Sequence, residues 1–162
     1  MGMDYIGRRP QNVKGKCLHL NWSGHSWLLS LLDQLGCNLD EWSGTNDGLR
    51  ISARTCRAWA QTIGEALSED HIVEAVYRDK SYVGDQRKMP VVRANRSIPL
   101  AELLPAHEIS ATAATVLALA EQFQGWKADE NFQLLQPLDD PTRQWLQEIA
   151  DFFANCGGCR QC

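Results

Sequence analysis

Three cysteines lie near one end of the sequence, at the spacing Cys-x-x-Cys-x-x-Cys. This spacing lets the sulfur atoms of Cys156, Cys159 and Cys162 converge on one soft metal ion. The candidates for a fourth zinc ligand are Cys17, His19 and His25. Zinc sites normally have a second Cys/His pair at close spacing, and this chain shows none. We therefore expect that the three thiols bind no metal and that residues 156–162 form a flexible tail.

A polar loop is the second group that could do chemistry. The loop Ser43-Gly-Thr-Asn-Asp-Gly48 places side-chain acceptors and two glycines immediately before a predicted helix, where free backbone N–H groups can hold a polar or phosphorylated ligand. The carboxylate of Asp47 would repel a phosphate but could accept a hydrogen bond from a ribose or a base. The alternative is that Asn46, Asp47 and Gly48 form an Asx turn that only satisfies the backbone.

A dense group of polar and aromatic residues lies where the first predicted helix begins. Trp22 could stack on a base or another ring while Asn21 or His25 bonds to its edge. The alternative is that Trp22 is half-buried and His25 is solvated. A catalytic pair is a further alternative, with His25 as the base and Asp47 as the residue that orients it.

These two groups together define the predicted function. We expect the polar loop to fold back along the first helix toward Trp22 and to form one pocket with it. The residues predicted to bind the ligand are Asn21, Trp22, His25, Asn46, Asp47 and Gly48. The expected ligand is a nucleotide-like small molecule. The alternatives are an inhibitor that binds a host protein through exposed Trp anchors, a small hydrolase that uses His25 and Asp47, and a zinc-stabilised structural module.

Apolar residues that recur three or four positions apart predict the helices that position these groups. The predicted helices are Ser23–Leu35, Ser52–Leu67, Asp70–Tyr77, Ser110–Phe123 and a last helix that starts at Asp140. Helical spacing predicts one buried core that contains Trp27, Leu31, Cys56, Trp59, Ile63, Trp145, Ile149 and Phe152. In this interpretation Cys37 and Cys56 are small buried hydrophobic residues.

Strands are predicted only at Cys17–Leu20 and, as a strand pair or an exposed loop, within Tyr82–Val92. We therefore expect a mainly α fold, with four to five helices and a small N-terminal or middle β element. Residues 1–162 are predicted to form a single compact domain. Within it, 68–109 is a candidate insertion or irregular segment.

Length and composition exclude several classes of protein. The 162 residues carry a net charge of −4 and 44% hydrophobic residues, as in a globular domain and not a disordered chain. No apolar run approaches the roughly 18 residues that cross a bilayer, and no secretory signal is visible, so we expect a cytoplasmic protein. Basic residues form a short stretch and not a face, which argues against nucleic acid as a partner.

The motifs of common enzyme classes are also absent from the sequence. It contains no phosphate-binding loop, dinucleotide-binding glycine motif, serine-hydrolase elbow or His-Glu-x-x-His motif. The sequence therefore favours a binding protein over an enzyme and predicts no cofactor. The sequence leaves open whether the protein forms a homo-oligomer.

Several sequence blocks resemble an uncharacterised family of small phage and bacterial proteins. The blocks are Met1–Tyr5, Asn21-Trp-Ser-Gly-His-Ser-Trp27, Ser43–Gly48, Ile51-Ser-Ala-Arg-Thr-Cys56 and the closing Cys156-Gly-Gly. Two positions depart from the family pattern, because His25 stands where members have Trp or Arg and Cys159 stands where they have an aromatic residue. The resemblance implies a phage or prophage accessory protein, in the host cell, that acts by binding to counter a host system.

Overall fold

The computed structural model describes residues 2–42, 48–78, 86–93 and 133–162. The chain divides into two compact units. The first contains Met1–Glu69 and Asp140–Cys162, and the second contains Asp70–Asp139. The candidate insertion at 68–109 falls mostly within the second unit.

The described residues form seven strands, three α-helices and one short 3-10 helix at Val13–Gly15. In chain order the strands and helices are β1 (Gly2–Gly7), β2 (Cys17–Asn21), α1 (Trp22–Gln34), β3 (Arg50–Ile51), α2 (Ala53–Ser68), β4 (Ile72–Arg78), β5 (Gln86–Val92), β6 (Gln133–Gln136), α3 (Asp140–Asn155) and β7 (Cys159–Gln161). Strands β4, β5 and β6 belong to the second unit, and all other elements belong to the first.

The strands of the first unit form one antiparallel sheet in the order β2-β1-β7-β3. In its register, Met3 of β1 lies opposite Leu20 of β2, and Tyr5 lies opposite Gln161 of β7. Side chains alternate between the faces of a strand, so these four residues share one face, and all four are buried. The rings of Tyr5 and Phe152 lie 6.4 Å apart, which places α3 against this face.

Polar side chains fix where two helices begin. The Asn21 side chain accepts a hydrogen bond from the backbone N–H of Gly24 at the start of α1, and Ser52 accepts one from Thr55 at the start of α2. Each bond satisfies a backbone donor that the first helical turn leaves unpaired. Within the described residues, no helix combines the length and the apolar character that a membrane crossing requires.

The second unit contains a three-stranded antiparallel sheet with β4 between β5 and β6. Val73, Ala75 and Val91 are buried on one face of it, and Met89 and Leu135 pack against them. β-Branched side chains such as valine suit a pleated, buried surface. This cluster is the apolar core of the sheet.

The prediction of a mainly α fold is wrong. The described residues contain three helices and seven strands in two antiparallel sheets, which is an α/β fold. The predicted helix Asp70–Tyr77 is strand β4, because pairing with two neighbouring strands outweighs the weak helical spacing of its apolar residues. A strand is present within Tyr82–Val92 as β5. The predicted helix Ser110–Phe123 lies outside the described residues.

The segment 156–162, predicted to be a flexible tail, is part of the first sheet. Strand β7 lies between β1 and β3 and pairs with both. Cys156 and Cys159 are 0% exposed. The glycines that follow Cys156 end α3, as the sequence suggests, but the chain then turns back into the sheet instead of fraying.

Six of the eight predicted core residues are buried, namely Leu31, Cys56, Trp59, Ile63, Ile149 and Phe152. Trp27 and Trp145 are only partly buried. Their places inside the core are taken by the adjacent Leu28 and Leu146, both 0% exposed. In both helices the buried face is thus shifted by one residue from the predicted face. Two apolar residues are adjacent at each place, and helical spacing alone does not decide which of the two is buried.

Candidate metal centre

Three thiols from distant parts of the sequence meet inside the first unit. Cys56 lies in the first turn of α2, Cys156 follows α3, and Cys159 begins β7. Their sulfur atoms all lie within 4.8 Å of one another, and all three residues are 0% exposed. The Sγ atoms of Cys56 and Cys159 are 3.8 Å apart. We call these three residues the thiol centre.

The turn from Cys156 to Cys159 depends on two glycines. Gly157 and Gly158 have φ angles of +63° and +84°, a region that residues with a Cβ rarely adopt. A Cβ on Gly157 would also lie 2.3 Å from the carbonyl oxygen of Arg9. The backbone N–H of Arg9 donates to the carbonyl of Cys156 over 3.1 Å. The turn is therefore fixed against the segment that follows β1.

The start of α2 positions the third thiol. The Oγ of Ser52 caps the helix by accepting from the N–H of Thr55 over 3.2 Å, and the N–H of Cys56 donates to the carbonyl of Ser52 over 3.0 Å. Gly158 lies against the start of α2, because a Cβ added to it would be only 3.1 Å from the backbone nitrogen of Ala53. The thiol centre thus lies at the amino end of α2, where the helix dipole favours negative charge.

Hydrogen bonds control the protonation of the thiol centre. Hydrogen bonds with the thiols of Cys159 and Cys56, and with the N–H of Gly158, hold the pKa of the Cys156 thiol well below its usual range. Hydrogen bonding with Cys156, together with burial, raises the pKa of both Cys56 and Cys159. Of the three thiols, Cys156 is therefore the one whose pKa the surroundings lower.

The geometry of the thiol centre suits a soft metal ion. Zinc–sulfur bonds of about 2.3 Å place two sulfur ligands roughly 3.8 Å apart in a tetrahedron and roughly 4.0 Å apart in a plane. The Sγ atoms of Cys56 and Cys159 already stand 3.8 Å apart, whereas a disulfide needs about 2.05 Å. All three cysteines are free thiols. One sulfur pair thus has the spacing of metal ligands, and the third sulfur lies within 4.8 Å of both.

The structure groups Cys56, and not Cys162, with the two cysteines of the turn. The sulfur of Cys162 accepts a hydrogen bond from Nε of Arg160 over 3.1 Å and is not part of the thiol centre. The sequence predicts Cys56 only as a core residue, because its partners in the thiol centre lie far away along the chain. Its place just after the N-cap Ser52 was the only local hint of a role.

The predicted ligand residues around α1 also have structural roles. The Oδ1 of Asn21 accepts from the N–H of Gly24 over 2.7 Å. His25 is 3% exposed, its Nδ1 bonds to the hydroxyl of Tyr5 over 2.9 Å, and burial lowers its pKa. Trp22 is 44% exposed, and its ring lies edge-on to that of His25, with centroids 5.8 Å apart. The structure brings Trp22 and His25 together at the start of α1.

The second half of the predicted pocket is only partly described. Asn46 and Asp47 lie outside the described residues, so their contact with the Asn21 block and the His25–Asp47 pair stay predictions. Gly48 has a φ of +72°, and a Cβ there would lie 3.7 Å from Nε of Arg160. Gly48 thus lies beside β7.

An open groove of about 820 Å³ runs between β2 and α3, a volume typical of small-molecule sites. Cys17 and His19 line it, and Asp4 pairs with Nδ1 of His19. The Nε2 of His19 lies next to Gly2 of β1. Cys17 pairs with Ile6 and so lies in the other direction along the two strands. Burial raises the pKa of the Cys17 thiol. These residues therefore do not form an activated Cys–His pair.

No family model matches the chain, and no curated protein or solved structure matches it either. The resemblance to small phage and bacterial proteins therefore stays a prediction. The function has to follow from the chemistry of the chain's own side chains.

Proposed function

We propose that the protein is a metal-stabilised module in which the thiol centre holds one soft metal ion, Zn²⁺ or Cu⁺. The observation that carries this proposal is the convergence of three buried sulfur atoms within 4.8 Å. Soft thiolate ligands select these ions over the hard cations of the cell. This function corresponds to the zinc-stabilised module that the sequence left as an alternative, with Cys56 as a ligand in place of Cys162.

A metal ion at this position would link three elements of the first unit. Cys56 belongs to α2, Cys156 follows α3, and Cys159 belongs to β7. The ligands come together only when the chain folds, so the binding free energy of the ion would add to the free energy of unfolding. The link would close a loop of about a hundred residues, which removes many conformations from the unfolded chain.

The surroundings of the thiol centre favour an anionic complex. Three thiolates and one Zn²⁺ carry one net negative charge. The N–H of Gly158 donates to the sulfur of Cys156, and the N–H of Cys159 donates to that of Cys56. Together with the amino end of α2, these donors lower the cost of burying that charge.

Metal content tests the proposal directly. Protein grown in medium with added zinc and copper, and purified without chelators under reducing conditions, should contain one ion per chain by native mass spectrometry and elemental analysis. Cys56→Ser should lose the ion. Cys162→Ser is the matched control and should keep it, because Cys162 lies outside the thiol centre.

Two results would contradict the proposal. One is wild-type protein that is folded by circular dichroism and carries no zinc or copper at unit stoichiometry. The other is loss of the ion from Cys162→Ser together with its retention in Cys56→Ser, which would instead support the ligands predicted from sequence.

The sequence-based proposal of ligand binding has its own support. We propose a cytoplasmic accessory protein of phage type that binds a nucleotide-like small molecule or a host protein surface. A cytoplasmic location would keep the six cysteines reduced. The 44% exposure of Trp22, beside the ring of His25, leaves an aromatic face on which a base can stack.

Tryptophan fluorescence tests the nucleotide arm of this second proposal. Adenine and guanine nucleotides should quench the wild-type signal saturably, and Trp22→Ala should lose that response. A wild-type signal that stays linear into the millimolar range would contradict nucleotide binding at Trp22.

A further inference from the structure

The number of donors at the thiol centre limits which soft ion fits it. Within the part of the chain that the structure describes, Cys56, Cys156 and Cys159 form a group of three ligand atoms that no His, Asp or Glu joins. Structural zinc sites in proteins are almost always four-coordinate and tetrahedral. A zinc ion here would therefore need a fourth ligand from outside this group.

Water is a poor source of that fourth ligand. Each residue of the thiol centre is 0% exposed. The turn at Gly157 and Gly158 covers one side, with Arg9 in direct contact with it, and the start of α2 covers another. A water molecule would need polar partners and space in this closed, sulfur-lined position.

The ion Cu⁺ does not have this requirement. It is softer than Zn²⁺ and forms stable complexes with two or three thiolates. On three thiolates it carries two net negative charges, one more than Zn²⁺, which costs additional burial energy. The N–H donors of Gly158 and Cys159 and the amino end of α2 offset part of that cost. The lack of a fourth donor among the described residues penalises only Zn²⁺.

We infer that the thiol centre is a three-coordinate, sulfur-only site that takes Cu⁺ in preference to Zn²⁺. The inference rests on the proposed function, since it requires that the thiol centre binds a soft ion at all. It adds the coordination number and the identity of the ion.

Competition titrations and X-ray absorption test the inference. Reduced, metal-free, full-length protein is titrated under anaerobic conditions with Cu⁺ against a chromogenic Cu⁺ chelator, and with Zn²⁺ against a chromogenic zinc chelator. Cu⁺ should bind one per chain, with a dissociation constant below that of Zn²⁺. The X-ray absorption spectrum of the copper-loaded protein should show three sulfur atoms bound to copper and no bound nitrogen or oxygen atom.

Two variants locate the binding site. Cys56→Ser should weaken Cu⁺ binding by at least about 10-fold, since even a ligand's hydrogen-bond partner contributes that much to metal affinity. Cys37→Ser removes a partly buried thiol outside the thiol centre and should leave the affinity unchanged. If Cys56→Ser fails to fold, the number and type of atoms bound to copper in the wild-type protein still test the inference.

The outcomes separate this inference from the proposed function. Zinc that binds one per chain at least as tightly as Cu⁺, or a nitrogen or oxygen atom bound to copper, overturns the inference and leaves the metal-stabilised module standing. Failure of both ions to bind at one per chain overturns both.

Discussion

Cys56 and Cys159 are 103 positions apart in the sequence, and their Sγ atoms lie 3.8 Å apart in the fold. Pairing of the backbone, and not contact between side chains, places these two residues next to each other. Cys159 pairs with Ile51 across β3 and β7, and the helix that carries Cys56 starts just after β3. The sheet register and the N-cap of α2 therefore position both thiols.

Gly157→Ala should destabilise the protein more than Gly36→Ala. Both glycines have positive φ angles, of +63° and +73°, so alanine at either costs about 1–2 kcal/mol of backbone strain. Only at Gly157 does the added Cβ meet backbone, 2.3 Å from the oxygen of Arg9, whereas no described atom lies within 4 Å at Gly36. Urea denaturation should show at least twice the loss for Gly157→Ala. Equal losses would argue against a turn fixed by Arg9.

Trp59→Ala should cost about 3–5 kcal/mol of unfolding free energy, the usual loss for a large buried aromatic residue. Trp59 is 1% exposed, and its Nε1 donates to the carbonyl of Asn38 over 3.0 Å. Trp22→Ala is the matched control, because Trp22 is 44% exposed and should cost less than about 1 kcal/mol. Thermal and urea unfolding measure both. An unchanged midpoint for Trp59→Ala would contradict its place in the core.

The protein should lose stability as the pH falls below the ordinary pKa of histidine, and His25 should cause part of that loss. Burial lowers the pKa of His25 in the folded state, so the unfolded chain binds this proton at a higher pH than the folded protein does. Stability contributed by the neutral ring is complete above the unfolded pKa, about 6.5, and is lost as the pH falls toward the folded value.

Urea denaturation between pH 7.5 and 5 measures this effect. His25→Gln, which removes the titration and keeps a polar side chain, should flatten the decline in unfolding free energy. His19→Gln is the control, because His19 is exposed and its partner Asp4 lies at the surface. A decline of the same slope in His25→Gln and in the wild-type protein would refute the assignment.

Asn21→Ala should cost about 1 kcal/mol, and Asn21→Ser should restore most of the loss. The reason is the N-cap of α1, where the Asn21 side chain accepts from the N–H of Gly24, and serine caps helices nearly as well as asparagine. Urea unfolding of the three proteins gives the comparison. If neither variant changes the unfolding free energy, Asn21 does not act as a cap, and its predicted role as a ligand residue gains weight.

The helices of the first unit follow from local sequence. The predicted range Ser52–Leu67 agrees with α2 at Ala53–Ser68, with Ser52 as the N-cap, and the predicted start at Asp140 is the start of α3. Capping and amphipathic spacing act within a few residues, so a short window contains the information.

Strand β7 and the thiol centre do not follow from local sequence. The residues 159–161 show no alternation long enough to mark a strand, and they become one only because β1 and β3 pair with them from positions near 6 and 51. Cys56 likewise becomes a candidate ligand only through contacts about a hundred positions away. Pairings at such separations leave no periodic trace in a single sequence.

The central position of β7 has a consequence for the order of folding. Strand β3 pairs only with β7 within the described residues, and β7 joins it to β1, so the sheet closes only when 159–161 dock between strands more than a hundred residues upstream. Contacts at such separations form slowly. In the folded protein, that docking leaves Cys156 and Cys159 with no exposed surface. A variant that loosens β7 would therefore disrupt the thiol centre as well, because one strand pairing completes both the sheet and the site.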